Sequence, residues 1–149
     1  MPYLHDLYML DVHIANKCNL HCDGCNHWSN YNFSEVFTNE TLKEWANPWS
    51  KRLNPKRVNL LGGEPFLNKE CKDIVYTYRE LFPNSINKLF TNAFLLSKQD
   101  WLYDCLLDTN TALVITFHSR DERYLQKFKK ELEYLKTWGK WTFEKDTWF

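Results

Sequence analysis

The sequence predicts an α/β fold built on a parallel sheet. Three observations lead there. Strand-like and helix-like periods alternate along the chain. They do so four times in series, which implies parallel strands joined by right-handed crossovers. The 149 residues are 44% hydrophobic and 17% aromatic, enough for a core and of a length for one domain.

The elements follow in order. Leu10, Val12 and Ile14 alternate with Asp11 and His13, the period of a half-buried strand. Leu42, Trp45, Ala46, Trp49 and Leu53 share one helical face, Thr38 or Asn39 can cap that helix, and Pro48 should kink or shorten it. Val58-Asn59-Leu60-Leu61 reads as a strand stopped by Gly62-Gly63. Ile74, Val75, Tyr78, Leu81 and Phe82 line a helix ending at Pro83-Asn84.

The pattern then repeats. Ile86 to Phe90 is a strand, and Trp101, Leu102, Cys105 and Leu106 form a helical stripe. Ala112 to Phe117 is a strand dense in β-formers. Leu125, Phe128, Leu132 and Leu135 make the longest amphipathic stripe, with Lys127, Lys129 and Lys130 turned to water. Trp141-Thr142-Phe143 is a candidate fifth strand. Asn26 to Thr38 reads as a long polar and aromatic loop.

Charge excludes some partners. Lys+Arg and Asp+Glu are both 19, so no general field draws the chain to nucleic acid or to a membrane surface. No apolar run approaches the ~18 residues of a spanning helix. The first residues lack the basic-then-apolar order of a signal peptide. The expected location is the cytoplasm.

Cys18, Cys22 and Cys25 carry the chemistry. They stand in Cys18-Asn19-Leu20-His21-Cys22-Asp23-Gly24-Cys25, a C-x3-C-x2-C spacing on one loop. Five cysteines are an odd number, and three crowded into eight positions suit metal binding better than a disulfide framework. Three thiolates satisfy three irons of a 4Fe-4S cubane and leave the fourth open. The alternative is structural zinc, which wants four protein ligands, with His21 or His27 as the fourth. A dithiol redox site at Cys22 and Cys25 is weaker still, since Cys-x-x-Cys alone does not establish one.

These residues resemble the radical SAM superfamily. The cysteine loop follows a first strand, and Gly62-Gly63-Glu64-Pro65 (GGEP) follows the second. The lead-in Ala15-Asn16-Lys17-Cys18-Asn19-Leu20 matches too, as does Thr91-Asn92 where many members carry Thr-Asn-Gly. The resemblance runs from about Val12 to Ser119. It implies a partial (βα) barrel of about four to five units, here a single core domain over 1–149 that corresponds to the N-terminal part of a partial TIM barrel.

The resemblance implies cofactors and roles residue by residue. Cys18, Cys22 and Cys25 would ligate a 4Fe-4S cluster. S-adenosylmethionine (SAM) would chelate the open iron. Gly62, Gly63, Glu64 and Pro65 would contact its amino group, chiefly through backbone carbonyls and Glu64. Thr91 and Asn92 would stand nearby, and His118 or Ser119 could reach ribose or carboxylate. Reductive cleavage would yield methionine and a 5′-deoxyadenosyl radical that abstracts hydrogen from an unknown substrate. An electron donor such as flavodoxin or ferredoxin is implied. The alternative is a noncatalytic metal-binding module or degenerate partner subunit.

Plainer readings stand beside some of these. Ser119-Arg120-Asp121-Glu122 reads equally as a helix cap of the Ser-x-x-Glu kind. Trp28, Tyr31 and Phe33 read best as a loop plug that excludes water from the sheet end. Cys71 and Cys105 read as small buried hydrophobes. Gly24 replaces the aromatic residue common before the third cysteine, so an adenine contact must come from elsewhere. Ala93 after Thr91-Asn92 suggests a turn without a positive φ. The motifs of a fifth and sixth strand have no counterpart, and an open sheet edge needs a cover. A truncated or split chain, or a dimer completing the barrel, is therefore expected.

Overall fold

A computed structural model describes residues 5–31 and 34–139. It contains six strands and four helices: β1 (His5–Leu7), β2 (Leu10–Ala15), α1 (Asn39–Ser50), β3 (Leu53–Pro55), β4 (Arg57–Gly62), α2 (Cys71–Leu81), β5 (Ile86–Thr91), α3 (Leu102–Thr109), β6 (Thr111–Ile115) and α4 (Glu122–Leu135). The main sheet is parallel, in the order β2-β4-β5-β6. Within this sheet the strands lie side by side in chain order, as in a βα barrel that has been opened. The candidate strand at Trp141-Thr142-Phe143 and the ring of Phe33 lie outside the described residues.

Alternation on the strands separates two faces. Val12, Ile14, Val58, Leu60 and Leu89 point to the helices and form the core with Leu42, Ile74, Val75, Leu102 and Leu106. Burying one such side chain contributes roughly 1.5–3 kcal/mol. The intervening residues Asp11, Asn59, Leu61 and Phe90 face the other way and line an open cleft. Cys71 and Cys105 are buried at 1% and 0% exposure, small hydrophobes as the sequence suggests.

Local rules explain the element ends. Thr38 caps α1, its hydroxyl accepting from the Thr41 N–H at 3.1 Å. Asn68 ties the turn after β4 to the sheet, donating to the Ile14 and Phe37 carbonyls at 2.8 Å each.

Several expectations need correction. Leu53 belongs to β3, not to the first helix, and β3 pairs in parallel with β1, a small second sheet the sequence did not suggest. Both strands are three residues long, too short for a period to show. Trp45 and Trp49 are 57% and 52% exposed, because Leu42 and Ala46 alone make the inward stripe. Pro48 lies in the last turn and does not end α1, which runs on to Ser50. Asp121, not Ser119, caps α4: its carboxylate accepts from the Arg123 and Tyr124 N–H groups. Ala93 does take a positive φ, +71°. The Ala93 N–H donates to Thr91 Oγ1 and the Phe94 N–H to Asn92 Oδ1, both at 3.0 Å, and these bonds offset the steric cost of the left-handed region.

Candidate functional site

The functional side chains meet where the strands end. A cleft of about 560 Å³ opens at the C-terminal ends of β2, β4, β5 and β6. Sites in parallel barrels gather at this end, because the βα loops converge there. Cys18, Cys22 and Cys25 line it from the loop after β2. Gly62, Gly63 and Pro65 face them from the end of β4, Thr91 and Asn92 from β5, and His118 from beyond β6.

The two glycines are required by packing. A Cβ on Gly62 would lie 2.1 Å from the Ala15 carbonyl oxygen, and its φ is +141°. A Cβ on Gly63 would lie 2.2 Å from the Lys17 carbonyl oxygen. With no side chain, Gly63 donates its N–H to the Ala15 carbonyl at 2.7 Å, and Glu64 donates its N–H to the Lys17 carbonyl at 2.8 Å. The diglycine turn is thereby stitched to the start of the cysteine loop.

Glu64 holds the centre of the site without lining it. It is fully buried. Its carboxylate accepts from Thr91 Oγ1 at 2.9 Å, the Asn92 N–H at 2.8 Å and the Phe66 N–H at 3.1 Å. Burial pushes its carboxyl pKa up, against the pull of these three bonds. The residue expected to touch a ligand's amino group through its side chain instead clamps the ends of β4 and β5. Ser119 also lies off the cleft wall, its Oγ accepting from the Asp121 N–H at 3.0 Å.

The cysteine loop carries three free thiols, all partly exposed. The Leu20 N–H donates to Cys18 Sγ at 3.4 Å. Asn92 Nδ2 lies 3.9 Å from the same sulfur and donates to Asn19 Oδ1 at 2.7 Å. Burial pushes the Cys18 thiol up, with the neighbouring Glu64, Cys22 and Cys25 charges adding to it. Cys22 is raised by burial and by Cys25 and Asp23. Such thiols ionise when a metal takes the proton's place. Gly24 has φ +69° with open space around it, so backbone conformation rather than crowding favours glycine there.

This donor set fits the expected cluster. Among the described residues no three His, Cys, Asp or Glu side chains converge on a single ion position. A cubane asks less convergence, because each thiolate binds a different iron. Three free thiols on one wall, one already receiving an N–H bond, are the chemistry such a cluster uses.

Of the three residues expected to plug the sheet end, Trp28 and Tyr31 stay open to solvent. Trp28 and Tyr31 are 63% and 65% exposed, with ring centroids 5.8 Å apart. Together with His13, Asn16, His27 and Glu35 they border a second, more open hollow. His27 Nδ1 lies 3.2 Å from His13 Nε2. Sequence reasoning also missed Asp11 and Asn59 on the cleft floor. The signal was present: Asn59 is a polar residue inside a buried strand, between Val58 and Leu60.

Comparison with known proteins agrees with this geometry. Residues 12–143 match the radical SAM superfamily, and the chain belongs to that family. Its members use a 4Fe-4S cluster and SAM. The chain is 29% identical over 117 residues to a probable GTP 3′,8-cyclase of Archaeoglobus fulgidus, covering 78% of this chain and 38% of that protein. It is 30% identical over 133 residues to the FeMo cofactor biosynthesis protein NifB of Methanocaldococcus jannaschii, covering 81% of this chain and 43% of that protein. The chain thus spans less than half the length of these curated relatives. Among solved structures, SuiB of Streptococcus suis bound to its precursor peptide SuiA superposes with a TM-score of 0.66 at 18% identity, over 90% of this chain and 31% of that one. BtrN in complex with AdoMet and 2-DOIA gives 0.53 at 21% identity, over 77% and 47%. These likenesses establish the fold, a partial βα barrel. No helix among the described residues is long and apolar enough to cross a membrane.

Proposed function

We propose that this chain is the cluster-bearing part of a radical SAM enzyme and that Cys18, Cys22 and Cys25 hold the cluster. The observation that carries this reading is the shared cleft wall, where the three free thiols face the Gly62-Gly63 turn. When bound, the reduced cluster supplies the electron that splits SAM into methionine and a 5′-deoxyadenosyl radical, which takes hydrogen from a substrate.

The chain's own residues bind and orient. The Leu20 N–H and the Asn92 amide supply donors near Cys18. Gly63 brings backbone to the cleft wall where a cationic amine can meet carbonyl oxygens. Glu64 fixes that turn against Thr91 and Asn92. His118, whose Nε2 lies 2.7 Å from Thr116 Oγ1, is held on the opposite rim for ribose or carboxylate. A one-electron donor of the flavodoxin or ferredoxin class serves as reductant.

Anaerobic reconstitution with iron and sulfide tests the reading. The expected product is a brown protein that forms 5′-deoxyadenosine from SAM and dithionite. A colourless protein holding stoichiometric zinc would overturn it.

A further inference from the structure

Asn92 joins three parts of the cleft through one residue. It follows β5 directly and is only 3% exposed. Its backbone N–H donates to Glu64 Oε2 at 2.8 Å, and its Oδ1 accepts from the Phe94 N–H at 3.0 Å. Its Nδ2 crosses to the cysteine loop, where it donates to Asn19 Oδ1 at 2.7 Å and lies 3.9 Å from Cys18 Sγ. The Leu20 N–H reaches the same sulfur at 3.4 Å. Donors from two separate segments thus converge on one thiol.

The turn alone does not require an amide here. An aspartate at this position would accept from the Phe94 N–H equally well, since both side chains form such turns. What asparagine adds is Nδ2 and its two hydrogens. One is spent on Asn19 and tethers the loop. The second is left for Cys18 Sγ.

The sulfur changes character when a metal binds. As a thiol, Cys18 can donate to Asn19 Oδ1, 3.9 Å away. Once iron takes the proton's place the sulfur only accepts, and the Leu20 and Asn92 N–H groups are the donors that face it. The buried Glu64 carboxylate, on the far side of the Asn92 N–H, acts the other way, since its charge opposes negative charge on Cys18. Hydrogen bonds to the sulfurs are among the features that set the potential of an iron–sulfur cluster. An added electron makes those sulfurs more negative and each N–H bond to them stronger.

We propose that Asn92 is a positioning residue that acts through Cys18, its amide stabilising the reduced cluster and so raising the cluster's reduction potential. This rests on the radical SAM reading of the cleft and goes beyond it. The couple is one electron passed from the flavodoxin- or ferredoxin-class donor, which is oxidised, to the cluster, which is reduced. No bond breaks in that step.

An anaerobic redox titration of the cluster-loaded protein without SAM tests it, with the reduced cluster followed by EPR. Asn92→Ala should move the midpoint to more negative potential. The expected size is about tenfold in the ratio of reduced to oxidised cluster, or about 59 mV for one electron, the scale of one charge-assisted hydrogen bond. Asn19→Ala removes the tether and keeps the donor, so its midpoint should move less. An unchanged midpoint in Asn92→Ala, a shift to more positive potential, or an equal shift in Asn19→Ala would each overturn the proposal. If Asn92→Ala does not fold or load iron, the wild-type chain carries the test. With its asparagine side-chain nitrogens isotopically labelled, pulsed EPR of the reduced cluster should show coupling to a labelled nitrogen, and no such coupling would overturn the proposal. Iron per chain separates this inference from the reading beneath it. A chain that loads no cluster sinks both, whereas a loaded cluster whose midpoint ignores Asn92 sinks only the role of Asn92.

Discussion

Thr91 donates its hydroxyl to Glu64 Oε1 at 2.9 Å, across the gap between the ends of β5 and β4. This single bond joins two motifs that lie 27 residues apart in sequence. The adjacent Asn92 N–H occupies the other carboxylate oxygen at 2.8 Å. The turn that faces the thiols is therefore held from inside the protein, before any ligand arrives.

Glu64→Ala should destabilise the protein by about 3 kcal/mol or more, since it strands several buried donors at once. Urea denaturation in the absence of SAM reads this directly. A loss seen only when SAM is present would instead assign Glu64 to ligand contact.

Gly62→Ala should unfold the site end of the sheet. The new Cβ would lie 2.1 Å from the Ala15 carbonyl oxygen, part of the backbone of β2, which has no flexible tip to move aside. A cost of about 3 kcal/mol or more is expected from the clash and the strained φ together. Thermal denaturation measures it. Gly24→Ala, with open space around it, should cost about 1 kcal/mol, the backbone penalty alone.

Each of Cys18→Ser, Cys22→Ser and Cys25→Ser should abolish stable iron loading, read as iron per chain and as loss of visible absorption. Cys71→Ser and Cys105→Ser should leave loading intact and lower stability, because both thiols are buried in the core. Iron retained in full by all three loop variants would remove the loop from the cluster.

Tyr78 gives a pH signature. Burial raises its phenol from 10.0 to about 12, so the native state keeps the proton longer than the unfolded chain. Stability from the neutral phenol is fully present below pH 10.0 and is lost as pH rises toward about 12. Two units correspond to roughly 2–3 kcal/mol. Wild type should therefore lose stability relative to Tyr78→Phe across that window in urea titrations. Parallel curves for the two proteins would contradict the shift.

Legibility in the sequence followed the range of the signal. Val12 and Ile14, or Ile74, Val75 and Tyr78, repeat at strand or helix period, so the four βα units were readable. The exposure of Trp45 and Trp49 was not, because the width of a buried stripe depends on what packs against it. The small β1–β3 sheet was hidden because three-residue strands carry no period and their pairing spans 48 positions. The left-handed turn at Ala93 was hidden too, since its support comes from the Thr91 and Asn92 side chains.

The sequence by itself determined the order of the four βα units, the cysteine spacing, and the family to which the chain belongs, because each is local or linear in nature. Tertiary structure alone decided that Glu64 turns inward to clamp β5, that Ser119 stands off the wall, and that Asp11 and Asn59 meet on the floor. Those facts depend on which strands become neighbours and in what register. A linear pattern carries residue types and their spacing; only the closed sheet fixes which side chains share a face and which donors are left to satisfy.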